Sequence, residues 1–209
     1  MSRKSTELVT MTIIALTLAS VCPLSVAYAQ DAPNVSSYTS TAEKDCRKIS
    51  KGETPDDGGT RLCRGPAGLV VVVSEIDLRE TVSTGRSRKA AENEPAASSW
   101  FGPFSSTTPT IEWRSPKDGR PFAMIQRWHI ADIADEDKTG RPIAKQMLVV
   151  TRLPPGAVCH VAYIDVKANA NANDLAREAA DTLARDFKCG TDKVKAFGTS
   201  GRATELALP

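Results

Sequence analysis

Between Ala157 and Gly190 the chain reads AVCHVAYIDV, KANANAN, DLAREAADTLARDF and KCG. A buried-strand run, a polar connection and an amphipathic segment are thus framed by Cys159 and Cys189. Leu175, Ala179, Leu183 and Phe187 recur every four residues, and Ala176, Ala180 and Ala184 widen the stripe. Arg177, Glu178, Asp181, Arg185 and Asp186 fall mainly on the other side. That spacing predicts a helix with one face to bury. Asn171 or Asn173 suits its N-cap, Asp181 and Arg185 are an i, i+4 pair, and Gly190 suits a left-handed stop. A strand from Cys159 to Val166 rises ~23 Å, and a helix from Asn173 to Cys189 rises ~24 Å. A helix folded back over its own strand therefore brings the two cysteines level. If they bond, Cys159 faces the helix with Val161 and Tyr163, and His160, Ala162 and Ile164 lie on the opposite face.

Upstream, the pattern is that of strands. CRKIS and TRLCRG flank the turn-rich TPDDGG, which places Cys46 opposite Cys63. GLVVVVSE (68–75) is a short continuous apolar run, read as a strand buried on both faces. LRETVS (78–83) follows a bend near Ile76 and Asp77. TIEWR (110–114), PFAMIQRWHIA (121–131) and IAKQMLVVTRL (143–153) form a meander. Centring the first of its turns on Asp118-Gly119 puts Trp113 opposite Met124 and Glu112 diagonal to Arg127. Both turns exit through an echo, Gly119-Arg120-Pro121 and Gly140-Arg141-Pro142. A short helix is expected over 88–94 and a last strand over 193–197. The fold class predicted is α+β: a mostly antiparallel, twisted meander sheet with one C-terminal amphipathic helix packed on it and two disulfides.

The N-terminus reads as a targeting segment. Arg3 and Lys4 precede an apolar run, and Ala27-Tyr28-Ala29 is a small-x-small cleavage site. Residues 1–29 are assigned to a signal peptide, 30–43 to a flexible tail and 44–209 to a single domain. The alternatives for the leader are an uncleaved anchor and a lipoprotein at Cys22. Cleavage removes Arg3, Lys4 and Glu7 and takes the net charge from +2 to +1. That balance does not support a nucleic-acid partner, and no span long enough to cross a bilayer remains after cleavage. The four cysteines left, Cys46, Cys63, Cys159 and Cys189, read as two disulfides in an oxidising compartment. A zinc site is the lesser alternative, since no CxxC occurs.

Chemistry-bearing residues are few. No GxSxG, HExxH or glycine-rich phosphate loop is present. Glu112, Arg127 and His129 form the best acid–base cluster that can be drawn, against the plainer reading of a solvated sheet face. His160 reads as a hydrogen-bonded core histidine. Asp135, Asp137 and Thr139 in DEDKTG echo half of a calcium loop, but Gln146 stands where a bidentate Glu is needed and Pro142 interrupts. An acidic hairpin tip is the better reading, and no cofactor is assigned. The long connection 85–109 carries Trp100, Phe101 and Phe104 around Gly102-Pro103. Long connections in compact domains are often functional. These aromatics either plug the core or form a ligand- or partner-binding lip.

The phrases SEIDLRETVSTG, IEWR, RPFAMIQRWHI, LVVTRLPPGAVCHVAYIDVKANANANDLAREAAD and DFKC resemble a group of small, uncharacterised secreted and periplasmic proteins of alphaproteobacteria, over roughly 46–197. The resemblance implies export and a disulfide-bearing soluble domain, and it implies no catalytic residue, cofactor or substrate. The functional expectation is a periplasmic or secreted, non-enzymatic binding or envelope-interaction module. Its partner would be an envelope protein or a small-molecule ligand. The alternative is a hydrolase-like enzyme using Glu112, Arg127 and His129, which requires one pocket enclosing all three.

Overall fold

A computed structural model describes residues 33–51 and 58–208; the expected signal peptide lies outside them. The elements are β1 (Val35–Ser40), β2 (Cys46–Ser50), β3 (Gly59–Arg64), β4 (Val70–Ile76), β5 (Arg79–Gly85), α1 (Arg88–Glu92), β6 (Ser105–Ser115), β7 (Ala123–Glu136), β8 (Pro142–Arg152), β9 (His160–Asp165), α2 (Ala172–Leu183), β10 (Lys195–Ala196) and α3 (Arg202–Ala207).

The described strands form one sheet in the order β10-β9-β8-β7-β6-β5-β4-β3-β2, with β1 alongside β6. Two registers are as expected: Trp113 faces Met124 and Cys46 faces Cys63. The sheet is mixed rather than a pure meander, because β5 meets β6 and β9 meets β10 in parallel. Helices are not confined to one C-terminal element either. α1 follows β5 with Ser87 capping its start, and α3 closes the chain. The reading of 30–43 as a tail also needs correction. β5 pairs with β6 in register only at Arg79–Ser105, with Glu80 holding Thr107 beside it, which leaves the β6 edge beyond open to another strand. β1 fills it over Thr110–Ser115, and Trp113 Nε1 donates to Thr39 Oγ1 at 2.8 Å.

Each face of the sheet carries an apolar core. One core holds Trp113, Trp128, Met124, Ile130, Val71 and Val73, closed by Ala203 of α3. The other holds Ile125, Leu148, Val150, Ile164 and the alanine stripe of α2. Small side chains let the helix lie close to the sheet. Its charged residues find tertiary partners instead of the local ones expected. Asp181 accepts from Arg114 Nη2 at 2.6 Å rather than pairing with Arg185, and Asn171 is the N-cap residue but makes no side-chain cap bond.

Cys159–Cys189 and Cys46–Cys63 are both bonded, with Cα separations of 5.9 and 4.4 Å. The staple over α2 is therefore as expected, but the face assignment in β9 is not. Val150 pairs with Ala162 while Thr151 pairs with His160, so Val161 is an extra residue in the strand. Such a bulge resets the alternation of side chains. Val161, Ala162 and Ile164 pack under α2, and Tyr163 lies in the other core with His160 beside it.

Candidate functional site

The aromatic loop divides its residues between core and surface. After the turn Pro95–Ser98, Phe101 enters the core. Its ring meets Trp128 edge-on at 4.9 Å and Tyr163 at 5.2 Å, and stacks on His160 at 5.5 Å. Gly102 lets the chain reverse there. Its φ is +55°, and a Cβ would come 2.6 Å from Ile130 Cγ2, so any side chain clashes as well as strains. With Phe101 pinned inward, Trp100 stays 53 % exposed. Arg79 lies over its ring at 4.9 Å.

Trp100 borders a cavity of about 540 Å³ floored by Val72, Ser74, Thr81 and Ser83 of the β4–β5 hairpin. Two polar atoms of this lining, Arg79 Nε and Ser83 Oγ, are buried without a hydrogen-bond partner among the described residues. A buried polar atom left unmatched costs about 1–3 kcal/mol. The hairpin turn beside it is built from Asp77 and Leu78 at φ +50° and +58°. Two-residue hairpin turns need that backbone, but leucine occupies it at a cost. The turn carries Ile76, 70 % exposed, and Leu78, 44 % exposed. Leu78 is also held by its carbonyl, which accepts from Ser105 N–H at 3.1 Å. Strain and exposed apolar side chains thus coincide at the cavity's edge, as at many ligand clamps. Phe104 is exposed but is not part of this lining; of the three loop aromatics only Trp100 borders the cavity.

The acid–base cluster does not assemble. Glu112 and Arg127 line a shallow depression of about 240 Å³, and His129 is not in its lining. Arg177 of α2 donates to Glu112 from Nε at 2.7 Å, and Ser36 of β1 also donates to it. The hydrogen bonds from Arg177 to Glu112 hold the guanidinium above its already high pKa. Arg127 instead donates to Gln146 at 2.7 Å. Glu112 and Arg127, diagonal neighbours on the sheet, thus each bond to a different residue. Partial burial, then the Arg127 charge, lowers the His129 pKa.

The acidic hairpin tip is tied to itself. Asp137 accepts from Thr139 N–H, Thr139 Oγ1 and Arg141 N–H. These bonds, that of the Thr139 hydroxyl foremost, lower its pKa. Asp135 pairs with Lys145. Among the described residues no group of three His, Cys, Asp or Glu side chains is placed to hold a metal ion.

Arg79, Ser83 and the Ile76–Leu78 turn carry no motif. The one local signal is an apolar-Asp-apolar stretch at a strand bend, with no glycine to ease the turn. Comparison with protein-family models, curated proteins and solved structures found no match. The class the described residues define is a disulfide-stapled α+β domain on one mixed sheet. None of its helices is long and apolar enough to cross a membrane.

Proposed function

We propose that this protein is an exported, non-enzymatic binding module of the periplasm or cell exterior, related to the small secreted alphaproteobacterial proteins whose wording it shares. Its contact surface is the Trp100 cavity. The observation that carries the reading is the pairing of exposed apolar lining residues, Ile76 and Trp100, with Arg79 Nε and Ser83 Oγ atoms that are buried without a hydrogen-bond partner among the described residues. The partner has an apolar group for the rim and a hydrogen-bond acceptor for Arg79. Two disulfides support an oxidising compartment.

A photo-crosslinking residue at position 76 of the exported protein tests this. The expected result is an adduct that excess purified wild-type protein competes away and Trp100→Ala/Arg79→Gln protein does not. Glu112→Gln, on the separate depression, competes like wild type. Competition by the Trp100→Ala/Arg79→Gln protein, or no adduct, sinks the assignment. Intact mass of the same exported material is expected to start at Gln30.

A further inference from the structure

A second cavity, also about 540 Å³, is lined by Arg86, Arg120, Arg152 and Arg185 and by no carboxylate. The four come from four separate segments: the β5–α1 link, the β6–β7 turn, the end of β8 and the residue after the α2 cap. Elsewhere Arg61 is matched to Glu80, Arg114 to Asp181, Arg177 to Glu112 and Arg202 to Asp132. These four make no ion pair with any described residue. Guanidinium groups stay charged at every relevant pH, so the fold gathers four like charges around one space without neutralising them.

The site is built rather than incidental. Arg152 is half-buried and held by three backbone carbonyls. Its Nε donates to Ala184 O at 3.2 Å, Nη1 to Ala157 O at 2.9 Å and Nη2 to Pro155 O at 3.0 Å. Neutral partners fix the guanidinium and leave its charge uncancelled. Gly156 makes room for it: at φ +89°, a Cβ there would stand 2.9 Å from Arg152 Nη1. Arg185 is placed over the Phe122 ring at 3.7 Å, and its Nη2 donates to Asn34 Oδ1 at 2.9 Å. Arg86 donates to Ala67 O at 3.3 Å, and Arg120 is exposed at the mouth. Between the cations the lining is apolar, with Phe122, Leu153 and Pro155. The volume suits a small molecule.

We infer that this cavity binds an oxyanion carried on an apolar body, an organic phosphate in particular, with the guanidinium groups on the anion and the body against Phe122 and Leu153. Arginine's planar fork matches phosphate oxygens, and a dianion offsets the gathered charge better than one carboxylate. The inference is independent of the Trp100 cavity, with which this one shares no lining residue.

Calorimetry of the mature, oxidised protein with phenyl phosphate at fixed ionic strength tests it. Saturable one-site binding is expected, tighter than for inorganic phosphate. Arg120→Gln/Arg185→Gln is expected to weaken it at least tenfold. Lys138→Gln/Arg141→Gln, the same charge change at the remote hairpin tip, is expected to leave it within twofold. Arg152→Lys keeps the charge but not the fork, and serves as a milder variant should Arg185 prove needed for folding; it too is expected to weaken binding. Vesicles of phosphatidylglycerol, with phosphatidylcholine as control, distinguish sources. Binding to the former that the Arg120/Arg185 variant abolishes identifies a lipid headgroup as the anion. Phenyl phosphate binding without vesicle binding identifies a free organic phosphate. Non-saturating binding, or equal loss in the two double variants, means only general charge attraction and overturns the inference.

Discussion

His160 shows how much one residue's setting depends on its neighbours. It is buried to 4 % exposure, shares a 3.0 Å hydrogen bond with Tyr163 and lies under the Phe101 ring. Burial lowers its pKa to about 4 and raises that of Tyr163. The unfolded chain therefore takes a proton on His160 near pH 6.5, before the folded chain does. The stability that depends on a neutral His160 is complete above pH 6.5 and is lost as pH falls towards 4. At ~1.4 kcal/mol per pKa unit, the loss between pH 7 and 5 is roughly 2 kcal/mol. Urea unfolding of wild type and His160→Gln at both pH values checks this: the variant is expected to lose markedly less stability between them. An equal loss in both would mean that His160 does not carry the effect. That His160 is a core histidine is readable from its apolar neighbours; its partnership with Tyr163 is not, because it arises from the bulge at Val161.

At the scale of elements, α2 and its staple were legible and its electrostatics were not. The alanine-leucine stripe and the matched lengths of strand and helix are properties of the chain itself. The Asp181–Arg114 and Arg177–Glu112 pairs join residues 67 and 65 apart, and no local pattern foretells them. The disulfide closes a separation of 30 residues, against 17 for Cys46–Cys63. On the chain-entropy model its removal costs roughly 3–4 kcal/mol, a few tenths more than removal of the shorter link. Denaturant midpoints of Cys159→Ser/Cys189→Ser and Cys46→Ser/Cys63→Ser are expected to fall in that order. The reverse order would place the main constraint at the β2–β3 hairpin. The last helix escaped notice for a different reason. α3, over Arg202–Ala207, is too brief to show a helical period. It is docked by Asp165, which accepts from Ala203 N–H at 2.8 Å, and by Asp132, which accepts from Arg202 Nε at 2.7 Å. The Arg202 hydrogen bonds lower the Asp132 pKa to about 2.

Across the whole molecule, one sheet carries two cores, so neither has a sheet of its own. Trp113 and Trp128 report on one face and α2 on the other. β7 to β9 supply side chains to both. Tryptophan fluorescence and helical circular dichroism are therefore expected to give one coincident unfolding transition. Separated midpoints would show that the α2 layer detaches first. A buried tie crosses the same sheet: Glu80 accepts from Thr107 N–H at 2.6 Å and from Arg61 Nη2 at 2.8 Å, joining β3, β5 and β6. The two cavities lie where separate segments converge, and so neither is a motif. Arg86, Arg120, Arg152 and Arg185 look like ordinary surface charges in the sequence.

The chain alone determines what is local or periodic. The strand runs, the α2 stripe, the hairpin registers at Cys46–Cys63 and Trp113–Met124, and the disulfide pairing follow from side-chain period, turn residues and length. Tertiary structure alone decided the rest: the partner β1 finds on the open edge of β6, the bulge that turns Tyr163 away from α2, the inward course of Phe101 that leaves Trp100 outside, and the meeting of four arginines. The physical reason is common to all of these. Each depends on backbone, apolar surface or charge presented by distant segments, and that setting exists only once those segments have come together.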